Sequence, residues 1–267
     1  MTAASSSTSE MNAANRADNL AVHPCTGRQQ ALRLIPDEPR FLETRAMLLS
    51  DTDCEIRGAA GDFVVWQAEA GLMTLSGRPD PFLIRDSLAA CKHIVTLLAA
   101  PHQVSVAAAA VPRWEMSVAQ RLVHVETRIQ RPGLARARVL SPPEADVIPN
   151  LPADIRTNVA LAIRGGGAAT AVSVNGQPVS VCYTGWQTES LSDLAVFTDP
   201  LHRGKGCATA AAACLVSHIR SAGRLACWLS DESNTPSLNV ARKLGFRLSD
   251  RVIVLRQPFV QEKNSHG

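Results

Sequence analysis

Residues 198–223 read TDPLHRGKGCATAAAACLVSHIRSAG. The apolar run LAVF (194–197) leads straight into this turn, and the turn into an alanine-rich helix. The first amides of a helix have no partner inside it, and with the helix dipole they make an anion site. Gly204 and Gly206 remove Cβ atoms, so a ligand can approach the backbone closely. Arg203 and Lys205 add positive charge. Ala208, Ala210, Ala211, Ala212 and Ala213 keep the helix thin, so something bulky can lie against it. A diphosphate is the economical occupant; a plain solvated turn is the alternative. Two other phosphate motifs fail on spacing. No G-x-x-x-x-G-K-[ST] run exists, and Gly204 and Gly206 are followed by Thr209 where a dinucleotide fingerprint needs a third glycine.

Working outward, PADIRTNVALAIRGG (152–166) predicts a helix ending at glycines. TAVSVNGQPVSVCYTG (170–185) predicts two strands joined at Asn175-Gly176, a strong hairpin signal. LSDLAVFT (191–198) is a third strand. After the long helix, RLACWLS (224–230) reads as a buried strand, TPSLNVARKLGF (235–246) as a short helix with its glycine stop, and DRVIVLRQ (250–257) as a final strand.

The first half also alternates. DEPRFLETRAMLLS (37–50) predicts a helix. DFVVWQAEAGLMTLSG (62–77) is β-rich with a break at Gly71. DPFLIRDSLAAC (80–91) predicts a helix capped by Asp80 with Pro81 in its first position. HIVTLLAA (93–100) is a strand, Pro101 to Pro112 bounds another helix, and MSVAQRLVHVETRI (116–129) is a last strand. The arginine- and proline-rich stretch RIQRPGLARARVLSPPE (128–144) marks the boundary between the halves. The expected organisation is a disordered tail over 1–30, an α/β domain over 31–130 and a second domain over 137–260.

The bulk numbers bound the function. The chain has 267 residues, 46% hydrophobic and 19% charged, with a net charge of +3. That balance argues against nucleic acid as a partner. Seven cysteines, an odd number without C-x-x-C spacing, argue against a disulfide framework and against zinc, so no metal is expected and the setting is cytoplasmic. No apolar run reaches the ~20 residues that span a bilayer, and the polar N-terminus has no signal-peptide core. His93, His102 and His124 are scattered singly and read as structural.

Two stretches in order carry a resemblance. Arg203-Gly204-Lys205-Gly206-Cys207-Ala208 fits R/Q-x-x-G-x-G/A, and NTPSLNVARKLGF (234–246) is similar to a helix motif of the same family. The second half thus resembles the GNAT superfamily of N-acetyltransferases, with an α/β, mixed-sheet fold. The resemblance implies acetyl-CoA as co-substrate and a primary amine, small molecule or peptide, as acceptor. It implies that backbone amides from Arg203 through Cys207, Ala208 and Thr209 hold the diphosphate. It implies that Val196, Phe197 and Thr198 pair with the pantetheine where the sheet splays, and that Asn234 and Ser237 lie near the thiol. Catalytic base candidates are Asp193 and Glu189, which four-residue spacing on a strand places on one face. An oxyanion donor is expected near Val196 or Phe197. Many members carry a tyrosine as general acid where this chain has Ala241; the sole tyrosine, Tyr183, either lines the acceptor pocket or packs beside Trp186. The first half resembles a degenerate copy, since Pro79 removes an amide from its SGRPDPF turn. A coenzyme-binding sensor without turnover and a nucleotide-binding enzyme are the competing readings, and a homodimer is an open assembly.

Overall fold

The computed structural model describes residues 27–50, 52–91, 93–126, 137–142 and 151–258. The first half holds α1 (Arg28–Leu34), α2 (Leu42–Leu49), β1 (Glu55–Ala59), β2 (Asp62–Gln67), β3 (Leu72–Ser76), α3 (Pro81–Ala90), β4 (Thr96–Ala99), α4 (Val104–Ala110) and β5 (Glu115–His124). The second holds β6 (Ala137–Val139), α5 (Ala153–Arg164), β7 (Ala169–Val174), β8 (Gln177–Gln187), β9 (Leu191–Thr198), α6 (Cys207–Ser221), β10 (Leu225–Asp231), α7 (Thr235–Lys243) and β11 (Phe246–Arg256).

Local chemistry explains most boundaries. The Asp80 carboxylate accepts from the Phe82 amide, and Pro81 opens α3. Asn175 and Gly176 both take positive φ, 51° and 78°, the pair of left-handed residues that a tight hairpin demands. Gly223 and Gly245 follow the ends of α6 and α7.

All strands join one mixed sheet in the order β1-β2-β3-β4-β11-β5-β10-β9-β8-β7-β6. The centre of that order is a palindrome. β3 pairs parallel with β4, and β9 pairs parallel with β10. Between these pairs lie β11 and β5, antiparallel to each other from Phe246↔His124 to Arg256↔Glu115, with one irregularity between Leu248 and Asp250. The chain repeats a strand–helix–strand–helix–strand unit, once as β3-α3-β4-α4-β5 and once as β9-α6-β10-α7-β11. Each unit lends its last strand to the other. β5 of the first half pairs with β10 of the second, and β11 of the second pairs with β4 of the first. The expectation of a mixed α/β fold holds.

Helices cover both faces. α3 and α4 pack over Trp66, Leu97 and Leu255, while α6 and α7 pack over Leu122, Trp228 and Phe246. On the opposite face α1 and α2 cover Phe63, Leu98, Ala119 and Val254, and α5 covers Ala169, Val181 and Tyr183. Alternation assigns the faces: Val252 and Val254 point one way, Ile253 and Leu255 the other.

Three elements were not expected. α1 begins inside the stretch read as tail; the rest of that tail, 1–26, lies outside the described residues. β1 (EIRGA) and β6 (ARV) are short and polar, and only pairing with β2 and β7 makes them strands. β6 falls within the arginine-rich boundary segment, of which 128–136 and 143–144 lie outside the described residues. Among the described residues no helix is long and apolar enough to cross a membrane.

Exchange of β5 and β11 predicts one cooperative transition. Variants retaining only Trp66 or only Trp228 as fluorophore should unfold at the same denaturant midpoint. Well-separated midpoints would show that the halves are independent.

Candidate functional site

β9 and β10 are paired only over Leu191↔Leu225, Ser192↔Ala226 and Asp193↔Cys227. Beyond Asp193 the strands diverge, while β9 keeps its ladder with β8 as far as Ser180↔Thr198. The gap is a cleft of about 500 Å³. Ala195, Val196 and the end of β10 line it, together with Asn234, Ser237, Asp193 and Trp228. First-half residues Glu43, Leu72, Leu98 and Ala119 form its other wall. An open strand edge offers amides and carbonyls to an extended ligand, as another strand would.

At the far end of β9 lies the turn that opens the sequence. Gly204 and Gly206 have φ of 73° and 80°, and a Cβ on either would meet nothing within 4 Å. Glycine is therefore required for the backbone course, and the space around it is open. Gly206 is the N-cap of α6, and no side chain caps the helix. The first-turn amides of Cys207, Ala208 and Thr209 thus have no acceptor within the helix. Arg203 through Gly206 are exposed, and Cys207 through Thr209 half-buried. Arg203 departs from expectation: its amide is directed at Pro200 O (3.4 Å), and its Nε donates to Thr198 O (3.3 Å). Its backbone is less free than those of the residues after it.

Asn234 and Ser237 meet at the start of α7. The Asn234 side chain accepts from the Ser237 amide (3.2 Å), and the Ser237 hydroxyl accepts from Trp228 Nε1 (3.0 Å). Both line the cleft. That leaves the hydroxyl proton of Ser237 to donate.

Asp193 stands where the strands part. Its side chain is 15% exposed, with Arg121 Nη1 at 3.5 Å from Oδ1. Arg121 is fully buried, and its Nη2 makes a very short bond to Glu43 Oε1. Burial raises the Asp193 carboxyl to about 7; Arg121 pulls it down, Glu43 pushes it up and the Leu194 amide pulls it down. Burial disfavours the Arg121 charge, but Glu43 and Asp193 outweigh that and hold its pKa above the usual value.

Glu189 does not join Asp193. It precedes β9, in a turn closed by Thr188 N–H on Leu191 O (3.0 Å) and Leu191 N–H on Thr188 Oγ1 (3.0 Å). Asp37 braces this turn, accepting from Thr188 Oγ1 (2.5 Å) and the Ser190 amide (2.9 Å). Strand periodicity therefore does not extend back to Glu189. Its carboxylate, 51% exposed, takes both donors of the Arg45 fork at 2.8 and 2.6 Å. That hydrogen bonding holds its pKa below the ordinary range. Tyr183 lies under α5 with Asn158 Nδ2 at 3.4 Å from its hydroxyl; it lines neither the cleft nor the side of Trp186. Ala241 is fully buried within the α6–α7 core. His124 packs edge-on against Phe246.

Sequence reading missed several cleft residues. Arg121 had one signal, an arginine beside the apolar residues Leu122 and Val123 of a strand. Glu43 had none, because its partner is 78 residues away. Ser230 lies on β10 in the cleft wall, 7% exposed, with a buried hydroxyl that finds no partner among the described residues. Asp231 and Arg256 pair at 3.2 Å, and Ser117 donates to Asp231 (2.7 Å). Among the described residues no cluster of metal-ligating side chains occurs.

The first half repeats the splay and closes it. β3 and β4 part after Thr74↔Leu98, leaving a cleft of about 390 Å³. Gln103 bridges the opening: its Oε1 accepts from the Ala100 amide (2.7 Å) and its Nε2 donates to Gly77 O (2.6 Å). At α3, Pro81 supplies no amide and the Asp80 carboxylate already occupies the helix start. Asp62 likewise takes the Arg78 amide (2.7 Å). An anion meets carboxylates there.

Residues 164–255 match the family model described as GNAT acetyltransferase. This part of the chain is similar to GNAT acetyltransferases. The whole fold is similar to that of a GCN5-related N-acetyltransferase-like protein from Streptococcus suis, at 17% identity and a TM-score of 0.63, over 86% of this chain and 98% of that one. A GCN5-related N-acetyltransferase from Kribbella flavida gives 14%, 0.57, 83% and 95% in the same order. A tandem GNAT protein from the clavulanic acid biosynthesis pathway gives 14%, 0.52, 90% and 98%. At such identities the likeness is one of fold. No curated protein matches the chain. The matched model describes acetyltransferases, enzymes that move an acyl group.

The Asp193 carboxyl has a consequence for stability. Its folded pKa, about 7, lies above the ~3.9 of an exposed aspartate. Its contribution is fully present below pH ~4 and is lost as pH rises through about 7, with a slope of up to roughly 1.4 kcal/mol per pH unit. Urea midpoints measured across that window should fall with pH more steeply in the native chain than in Asp193→Asn. Parallel curves would contradict the shift.

Proposed function

We propose that this protein moves an acetyl group from acetyl-CoA to a primary amine of a small molecule or peptide, by direct attack and with Asp193 as base. The observation that carries this reading is the position of Asp193: a carboxyl titrating near neutrality, at the point where β9 and β10 part and a cleft opens toward an uncapped helix start. The residues present suit the coenzyme. The amides after Arg203, with Lys205 beside them, suit its diphosphate, and the free edge of β9 over Val196–Thr198 suits the pantetheine amides. When bound, acetyl-CoA supplies the thioester carbonyl.

The neutral amine attacks that carbonyl, forming a C–N bond, and its surplus proton passes to Asp193. The oxygen that gains charge takes a hydrogen bond from an amide of the splayed strand near Val196 or Phe197. The C–S bond then breaks and sulfur leaves with the electron pair. Ala241 offers no hydroxyl and Tyr183 lies under α5, so solvent supplies the proton for the thiolate. Cys207 needs no covalent role. The free thiols at Cys182, Cys214 and Cys227 suit a cytoplasmic, reducing setting.

Two measurements test this. In Asp193→Asn, kcat/KM for a panel of primary amines should fall by ~10²–10⁴, with acetyl-CoA affinity retained. In Gly204→Val/Gly206→Val, the Kd for acetyl-CoA by calorimetry should rise on the order of 10–100-fold, through loss of charge-assisted hydrogen bonds and a strained left-handed backbone. Binding without transfer to any amine would instead identify a coenzyme sensor. No binding at all would remove both readings.

A further inference from the structure

Asp193 belongs to the second half, but the two charged groups that act on its carboxyl, Arg121 in contact and Glu43 behind it, come from the first. Arg121 sits on β5, the strand lodged between β10 and β11. Glu43 sits on α2, which lies over the same face of the sheet and reaches β8. Both are buried, Arg121 completely. The two contacts of the guanidinium are unequal. Nη2 bonds closely to Glu43, while Nη1 stands 3.5 Å from Asp193, at the outer edge of hydrogen bonding. The remaining donor, Nε, finds no partner among the described residues.

Resting on the reading of Asp193 as base, we propose that Arg121 and Glu43 are a positioning pair, supplied by the first half, that decides the pH at which Asp193 can accept a proton. Two carboxylates share one cation here. A guanidinium devoted to Asp193 through both prongs would keep that carboxylate permanently ionised and a poor base. Glu43 takes the larger share of the cation, so the negative charge on Asp193 is only partly compensated. The same arrangement keeps Arg121 from being an unpaired buried charge.

Other titratable groups around Asp193 do not compete for this role. From β8 come the Cys182 thiol and the Tyr183 phenol, and from β10 the Cys227 thiol. Burial pushes all three up, Cys227 to about 12, so they stay neutral across the working range. Asp231 and Arg256, across the cleft, are paired with each other. Glu189 and Arg45 form a separate surface pair.

The test is the pH profile of kcat/KM in the full chain. Glu43→Gln, an isosteric and uncharged change, releases the guanidinium toward Asp193 and should move the acid limb down by about one to two pH units. Arg121→Met removes the cation and should move the limb up; should that variant not fold, Glu43→Gln decides alone. A purely structural pair would lower stability and leave the limb in place. If Asp193→Asn abolishes the limb while Glu43→Gln leaves it where it stands in the native chain, the pair has no such role. A limb that survives in Asp193→Asn overturns the base assignment and takes this inference with it.

Discussion

A fully buried guanidinium is costly unless its charge is met, and Arg121 meets its charge from two directions. Glu43 belongs to a helix of the first half, and Asp193 to the splayed strand of the second. Arg121 itself rides on β5, which leaves the first half to lie between two strands of the second. Separating the halves would strand this charge in the core. It would also unpair β5 from β10 and β4 from β11. The electrostatic trio and the exchanged strands therefore enforce the same assembly, and they place a first-half wall along the second-half cleft.

Two copies of one strand–helix–strand unit have met different ends through few residues. Both parallel strand pairs part after three paired residues. In the second half, two glycines with positive φ lead to a helix whose start is left open. In the first half, Pro81 and Asp80 fill the equivalent helix start, and one glutamine side chain spans the gap between strand ends. Gln103 makes, from within, the amide contacts that an extended ligand would make from outside. The pseudo-symmetric fold thus retains one cleft that opens toward an uncapped helix start and one that is shut by its own groups. The shut copy contributes walls and charges.

Local signals were legible wherever a single residue type forces a conformation. Asp80 with Pro81, Asn175 with Gly176, and the glycines that end α6 and α7 each gave boundaries that the structure keeps. The open turn at 203–206 was also readable, because its glycines and the helix start after it are local features. What could not be read was contact between distant segments. Glu189 looked equivalent to Asp193 under strand periodicity, but Asp37, from the far end of the chain, braces a turn that breaks the period. β1 and β6 lack intrinsic strand character and exist through their partners. The exchange of β5 and β11 leaves no trace in local pattern, since each strand's pattern is the same whichever half it joins. Sequence could not show that Tyr183 lies under α5, away from the cleft.

The most direct measurement is a ¹³C-carboxyl NMR titration of Asp193 in the native chain, assigned by comparison with Asp193→Asn. A carboxyl held among Arg121, Glu43 and the apolar wall of the cleft should titrate at about 7. A midpoint near or below the ~3.9 of an exposed aspartate would mean that Arg121 holds Asp193 as a permanent anion, and this account of the site would fail.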